Sequence, residues 1–170
     1  RMIGSPEERY REDPVRMLRA IRFAAKLSFK LEPNTEEPLP RLGHLLLQIS
    51  NARLFDEVIK LFHSGYAAKA FTLLRQYGLF SFLFPLTDEC LNNPELHLIA
   101  DKLLLQTLNN TDERISLQKS VTPAFLFAAA LWYPTCQQAK LYQNDGVKPM
   151  IAMHQATDDI LKKQTEHTAI

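Results

Sequence analysis

The chain has 170 residues, with 20 Lys+Arg against 19 Asp+Glu, 46% hydrophobic residues and 23% charged. This mix excludes disorder as the main state, and no apolar run approaches the roughly 18–20 residues that span a bilayer. The length suits one domain or two small lobes with a core that needs no disulfide or metal. Cys90 and Cys136 stand far apart in no CxxC pair, as expected of reduced thiols in a cytoplasmic protein.

Helical periodicity dominates, and no alternating run bounded by a tight turn marks a hairpin. Asp13-Pro14 predicts a helix start, with Asp as N-cap and Pro at the first helical position, and the pattern runs to Leu27. A second helix is expected from Asn34 or Thr35 to Ile49, with Pro38 and Pro40 in its first turn or delaying it. Ser50 or Asn51 caps a third, with Leu54, Phe55, Val58, Leu61 and Phe62 as its apolar face. A fourth covers Ala67–Tyr77 and stops at Gly78; Leu79–Pro85 reads as a single turn and 86–95 as loop. A fifth covers Glu95–Leu108, followed by a polar connection over Asn109–Ser120. Pro123 opens an apolar helix that Tyr133-Pro134 should end. Shorter helices are expected at Gln137–Gln143 and Lys148–Gln164. The expected fold is all-α, a bundle of about seven helices.

Charge is uneven along this chain. Residues 1–30 hold eight basic and four acidic side chains, so the rest is net acidic. At about 100° per residue, Met17, Leu18, Ile21, Ala24 and Ala25 share one arc of the first helix, and Arg16, Arg19, Arg22 and Lys26 fall opposite. A solvated face mixes signs for i,i+4 pairing, whereas this one is cationic, which suits an anionic ligand. A carboxylate one turn from an arginine can also read a base. Asp13 accepts from an adenine amino group while Arg16 donates to a ring nitrogen. The same Asp13 is the expected N-cap, and both uses remain open. The bland alternative is a surface helix in which Arg16 pairs with Glu12 or Asp13.

The run Gly4-Ser5-Pro6 … Arg9 … Glu12-Asp13-Pro14-Val15-Arg16-Met17-Leu18-Arg19-Ala20-Ile21-Arg22-Phe23, preceded by Ile3, resembles the nucleotide-reading motif of the class II nucleotidyltransferases. These are the bacterial poly(A) polymerases and tRNA CCA-adding enzymes. The resemblance implies that Asp13 and Arg16 read the incoming base and that Arg19 and Arg22 help hold the nucleotide. Arg9 and Glu12 would support them, and the Ser50–Glu57 stretch resembles the next motif, with Arg53 and Glu57 bracing the site. Leu79–Pro85, Asn110–Ile115 and Thr122–Pro134 resemble the poly(A) polymerases more than the CCA-adding enzymes.

The family's catalytic head, with its Gly-rich loop and metal-binding Asp-x-Asp, has no counterpart in these residues. Two-metal phosphoryl transfer needs those carboxylates. The resemblance therefore implies a piece of a longer protein, inactive alone: a neck over residues 1–62 and a helical, RNA-binding body over 63–170. ATP would be the substrate, with Mg²⁺ held by the separate N-terminal catalytic domain and none by this piece. The expected partners are an RNA 3′ end, ATP and that domain. The five histidines show no metal-ligand spacing. The rival readings are part of a CCA-adding enzyme and a helical protein-binding module.

Overall fold

The computed structural model describes residues 4–168, so Ile3 of the upstream motif element lies outside the described residues. The described residues are all-α, with no strand among them. The helices are α1 (Pro6–Glu12), α2 (Val15–Leu27), α3 (Pro33–Glu36), α4 (Pro38–Leu42), α5 (Asn51–Phe62) and α6 (Ala67–Gln76). They continue as α7 (Phe80–Leu83), α8 (Pro85–Asn92), α9 (His97–Ser116), α10 (Pro123–Asn144) and α11 (Pro149–Thr165). A 3-10 segment, Gly43–Gln48, joins α4 to α5.

Helix α2 buries Met17, Leu18, Ile21, Ala24 and Ala25, the arc read from the sequence, together with Val15. It packs on α5 and α6. Ahead of it, α1 starts on Pro6 with Glu7 and Glu8 in its first turn, a start signal the sequence reading passed over. Tyr10 of α1 is fully buried, and its hydroxyl donates to the Thr35 carbonyl at 3.0 Å, which ties α1 to α3. Burial pushes the Tyr10 phenol up to about 12.

The second expected helix is broken into α3, α4 and the 3-10 segment. Pro38 and Pro40 carry no N–H, so Pro38 serves as a fresh helix start rather than a helix interior. Gly43 marks a close approach: a Cβ there would lie 2.9 Å from Leu79 Cδ2 and Phe82 Cε2. Helices α5 and α6 match the reading closely, and α6 ends before Gly78, whose φ of +68° a side chain would strain.

Three readings of the second half are corrected. Residues 86–95 are largely helix α8, because Pro85 opens it and Thr87, Cys90 and Leu91 bury against its neighbours. Polar residues alone had suggested loop. Helix α9 continues through Asn109–Ser116, since Thr111 is buried and Asp112 has a partner across the fold. Its carboxylate accepts from the backbone N–H groups of Ala67 and Ala68, at 2.6 and 3.1 Å, and so caps α6 from outside. Helix α10 runs straight through Pro134. Proline removes the N–H that would reach the Ala130 carbonyl, and the Thr87 hydroxyl donates to that carbonyl instead, at 2.8 Å. The buried polar group is satisfied, so the helix need not stop.

One apolar cluster runs from Tyr10 to Ile160 and crosses residue 62 without a break. Its centre is aromatic: the Phe84 ring lies 5.4 Å from Phe80, 5.5 Å from Phe127 and 6.4 Å from Phe62 between centroids. A satellite of Ala139, Ala152 and Ala156 closes the α10–α11 hairpin. No helix among the described residues is long and apolar enough to cross a membrane.

Candidate functional site

The motif residues lie where α1 hands over to α2 and where α5 crosses α2. The expected cap is not made. Helix α2 has Pro14 at its N-cap with no side-chain bond, and Asp13 instead ends α1, its N–H donating to the Arg9 carbonyl. The extended backbone of Asp13 (φ −147°, ψ 93°) leaves its carboxylate free for α5. There a guanidinium is a stronger partner than a neutral backbone N–H. Arg53 Nη2 donates to Asp13 Oδ2 at 3.0 Å and lies 2.9 Å from Oδ1, off the hydrogen-bond direction. Asp13 Oδ1 is thus buried and without a hydrogen-bond partner.

One turn on, Arg16 is half-buried, with its Nε buried and likewise unpartnered. The bland pairing with Glu12 or Asp13 is not formed: Glu12 takes Arg9 at 2.9 Å, and Asp13 takes Arg53. Arg19 reaches Glu57 of α5 at 3.5 Å, and Lys60 binds the same Glu57 oxygen at 3.2 Å. Glu57 is buried, so α5 holds one carboxylate under two cations. Arg22 lies 5.4 Å from the centroid of the Phe23 ring. The structure therefore joins Asp13, at the α1–α2 junction, to Arg53 of α5, and Arg19 of α2 to Glu57 of α5. Arg9 and Glu12 form a separate exposed pair on α1.

The sequence reading missed a cleft of about 470 Å³ lined by Arg16, Phe23, Leu27, Phe29, Lys30 and Thr35, among others. Phe23, Leu27 and Phe29 are 54%, 48% and 69% exposed, large apolar side chains outside the buried arc. Phe23 and Leu27 stand four apart on α2, a signal the sequence contains. Thr35 Oγ1 is buried there without a partner. Two further cations were also missed, since nothing in their spacing announces them. Lys60 of α5 is one; the other is Lys69 of α6, whose Nζ donates to Ser28 Oγ at 2.8 Å. Because α2, α5 and α6 pack together, Lys60 and Lys69 extend the cationic face of α2 beyond its own sequence. Lys26 and Lys30 have no carboxylate partner among the described residues.

No group of three or more His, Cys, Asp and Glu side chains among the described residues is placed to hold a metal ion. The arrangement is suited to recognition: an acceptor and a donor one turn apart, aromatic walls beside them, and a cationic flank.

Comparison with known proteins shows what the chain is similar to. Residues 28–91 match the family described as "Probable RNA and SrmB- binding site of polymerase A". The whole chain is 46% identical, over 172 aligned residues, to poly(A) polymerase I of Salmonella typhi, of which it covers 37%. It is 47% identical to poly(A) polymerase I of Haemophilus influenzae over 146 residues, 86% of this chain and 32% of that protein. A CCA-adding enzyme of Geobacillus stearothermophilus is 42% identical over 83 residues, 49% of this chain and 20% of that enzyme. The chain spans little more than a third of the length of the poly(A) polymerases it matches. Within that span it is homologous along its entire length to the bacterial poly(A) polymerases and over a shorter stretch to the CCA-adding enzymes.

Proposed function

We propose that this chain is the non-catalytic neck and body of a cytoplasmic polynucleotide adenylyltransferase, which adds AMP from ATP to RNA 3′ ends. Residues 1–62 act as the neck and 63–170 as the body. The observation that supports the base-reading role is a pair at the α1–α2 junction, both atoms buried and without a hydrogen bond: Asp13 Oδ1, an acceptor in ion contact with Arg53, and Arg16 Nε, a donor. Adenine offers the complement, an amino donor beside a ring-nitrogen acceptor. Burial without a hydrogen bond costs about 1–3 kcal/mol for a group such as Arg16 Nε, so a ligand that pairs with it and with Asp13 Oδ1 is favoured. Arg53 and Glu57 brace Asp13 and Arg19 from α5. Arg19 and Arg22, with Lys26, Lys60 and Lys69, offer charge for the phosphates of nucleotide and RNA. Arg9 and Glu12 fix the end of α1, from which Asp13 projects.

The reacting phosphates and Mg²⁺ are assigned to a separate catalytic domain, and none of the present residues is given a catalytic role. The matched family's description also names SrmB, so a protein contact on residues 28–91 belongs to the same reading. A CCA-adding enzyme shares the motif. The poly(A) reading is preferred because similarity to the poly(A) polymerases spans the whole chain, and similarity to the CCA-adding enzymes about half.

The test uses the full-length enzyme. With ATP alone it should tail generic RNA, whereas a need for CTP and a tRNA end would favour the CCA-adding reading. Arg16→Ala should lower tailing by roughly ten- to a hundred-fold, as expected for a lost charge-assisted bond of about 1.5–3 kcal/mol. The preference for ATP over CTP should narrow while the melting temperature stays near wild type. Unchanged selectivity in that variant would end the base-reader assignment.

A further inference from the structure

Outside the matched segment, α10 shows two opposite faces. Phe127 enters the aromatic core, whereas Phe125 lies about 200° round the helix and is 45% exposed. Trp132, seven residues on from Phe125 and so on nearly the same face, is 50% exposed. The two aromatics stand about 10.5 Å apart along the helix axis, over a floor made by Ala128 and Ala129. That spacing is close to three stacking intervals of about 3.4 Å, room for two bases between the rings. Leu103 and Thr107 of α9 form the other wall of this slot.

Phe125 also lines a second, larger cleft of about 630 Å³ between the end of α9 and the start of α10. That cleft carries Arg114 and Lys119 against a single carboxylate, Glu113, with Asn110, Ser120 and Thr122 as polar neighbours. Neither cation is paired with a carboxylate among the described residues. Arg114 is held in place by donating through Nε and Nη2 to the Ser120 carbonyl, at 3.2 and 3.0 Å. An aromatic slot that opens onto a cationic cleft suits single-stranded nucleic acid. Bases stack regardless of sequence, and fixed cations meet the backbone. A protein partner would be served by the apolar slot alone and would leave both cations unanswered.

We propose that the α9–α10 face is a second contact for single-stranded RNA, with Phe125 and Trp132 as stacking platforms and Arg114 and Lys119 as phosphate contacts. This rests on the reading of the chain as an RNA-handling module, and it places bases far along the sequence from the α2 motif.

Trp132 is the sole tryptophan of the chain, so its emission reports stacking directly. The experiment titrates the 170-residue chain with short 5′-labelled oligo(A). It follows label anisotropy for binding and tryptophan emission for contact at this face. Saturable quenching is expected with the same midpoint as the anisotropy change. Phe125→Ala and Trp132→Leu should each weaken binding about fivefold or more, with unchanged melting temperatures because both rings are exposed. Lys119→Gln should reduce the salt dependence by about one phosphate contact. Anisotropy showing RNA bound with Trp132 emission unmoved would overturn this site and leave the RNA-binding reading intact. Loss of all RNA binding at low salt would overturn both. Emission that shifts with protein concentration in the absence of RNA would assign the face to contacts between copies and overturn the proposal.

Discussion

Two regions of the molecule treat buried polarity in opposite ways. Between α7, α8, α10 and α11, most buried polar groups find partners, Gln164 Oε1 being the exception. Thr87 donates to the carbonyl that Pro134 leaves open, and the Gln164 amide and Thr168 hydroxyl both donate to the Leu83 carbonyl, at 2.8 and 3.1 Å. At the start of α2 and in its cleft, Asp13 Oδ1, Arg16 Nε and Thr35 Oγ1 make no hydrogen bond, three of the five such buried atoms among the described residues. Satisfied polarity around an aromatic core is what stability selects. Unmet polarity beside exposed aromatic walls costs stability and is retained where a ligand supplies the missing partner. The difference separates the part of the chain that holds the fold from the part proposed above to read.

The strongest way to break the holding region is Phe84→Ala. Its ring touches three other phenylalanines and is fully buried. Removing it leaves a cavity that should cost about 3–5 kcal/mol, read as a lowered urea midpoint. An equivalent truncation in the reading region, Phe23→Ala, should change stability by less than about 1 kcal/mol, since that ring is half in solvent. Comparable losses from both would erase the distinction between the two regions.

A sharper test is Thr87→Val, which keeps shape and removes the hydroxyl. The Ala130 carbonyl is then orphaned, and Pro134 has no N–H to offer it. A loss of about 1–3 kcal/mol is expected. In that background Pro134→Ala restores a helical donor and should recover part of the loss, whereas in the wild type the same substitution adds a second donor to a carbonyl that Thr87 already satisfies and should gain less. Denaturation of the four proteins closes the double-mutant cycle, and a coupling of zero would remove the Thr87–Pro134 explanation.

The same contrast governs how much the sequence disclosed. Helix α2 and its buried arc were legible because apolar spacing alone decides that face. The Asn109–Ser116 stretch of α9 and the Pro134 passage in α10 were not. In both places helix persists because a residue far away in sequence meets a polar group: Asp112 with the N-terminus of α6, and Thr87 with the Ala130 carbonyl. Local propensity cannot register a partner 45 or 43 residues distant. At the site, the charge run on α2 marked the helix, yet the sequence could not choose between cap and base reader for Asp13. The structure removes the cap, because Arg53, brought in from α5 by folding, takes the Asp13 carboxylate. Lys60 and Lys69 joined the cationic face for the same reason, by packing and not by motif.

The smallest effect belongs to a surface pairing that fixes where Asp13 stands. Glu7 of α1 accepts from Arg41 at 2.8 and 3.1 Å and from Arg11 at 2.9 Å, so α1 is pinned to α4 just before Asp13 leaves it. Those guanidiniums, Arg41 foremost, lower the Glu7 carboxyl from its ordinary 4.5 to about 2. A carboxylate with a lowered folded value adds stability above its ordinary value and loses that contribution as pH falls through the lowered one. The same contact raises Arg41, which therefore stays charged throughout, and Glu7 alone sets the window. Melting temperatures of the wild type and Glu7→Gln should differ at pH 7, by an amount that salt reduces. The gap should close between about pH 4.5 and 2. A gap that survives at pH 2 would mean that shape, and not charge, holds α1 to α4. If the gap closes as expected, acid should loosen α1 before the aromatic core responds, because the Phe62–Phe84–Phe127 cluster is held by apolar side chains.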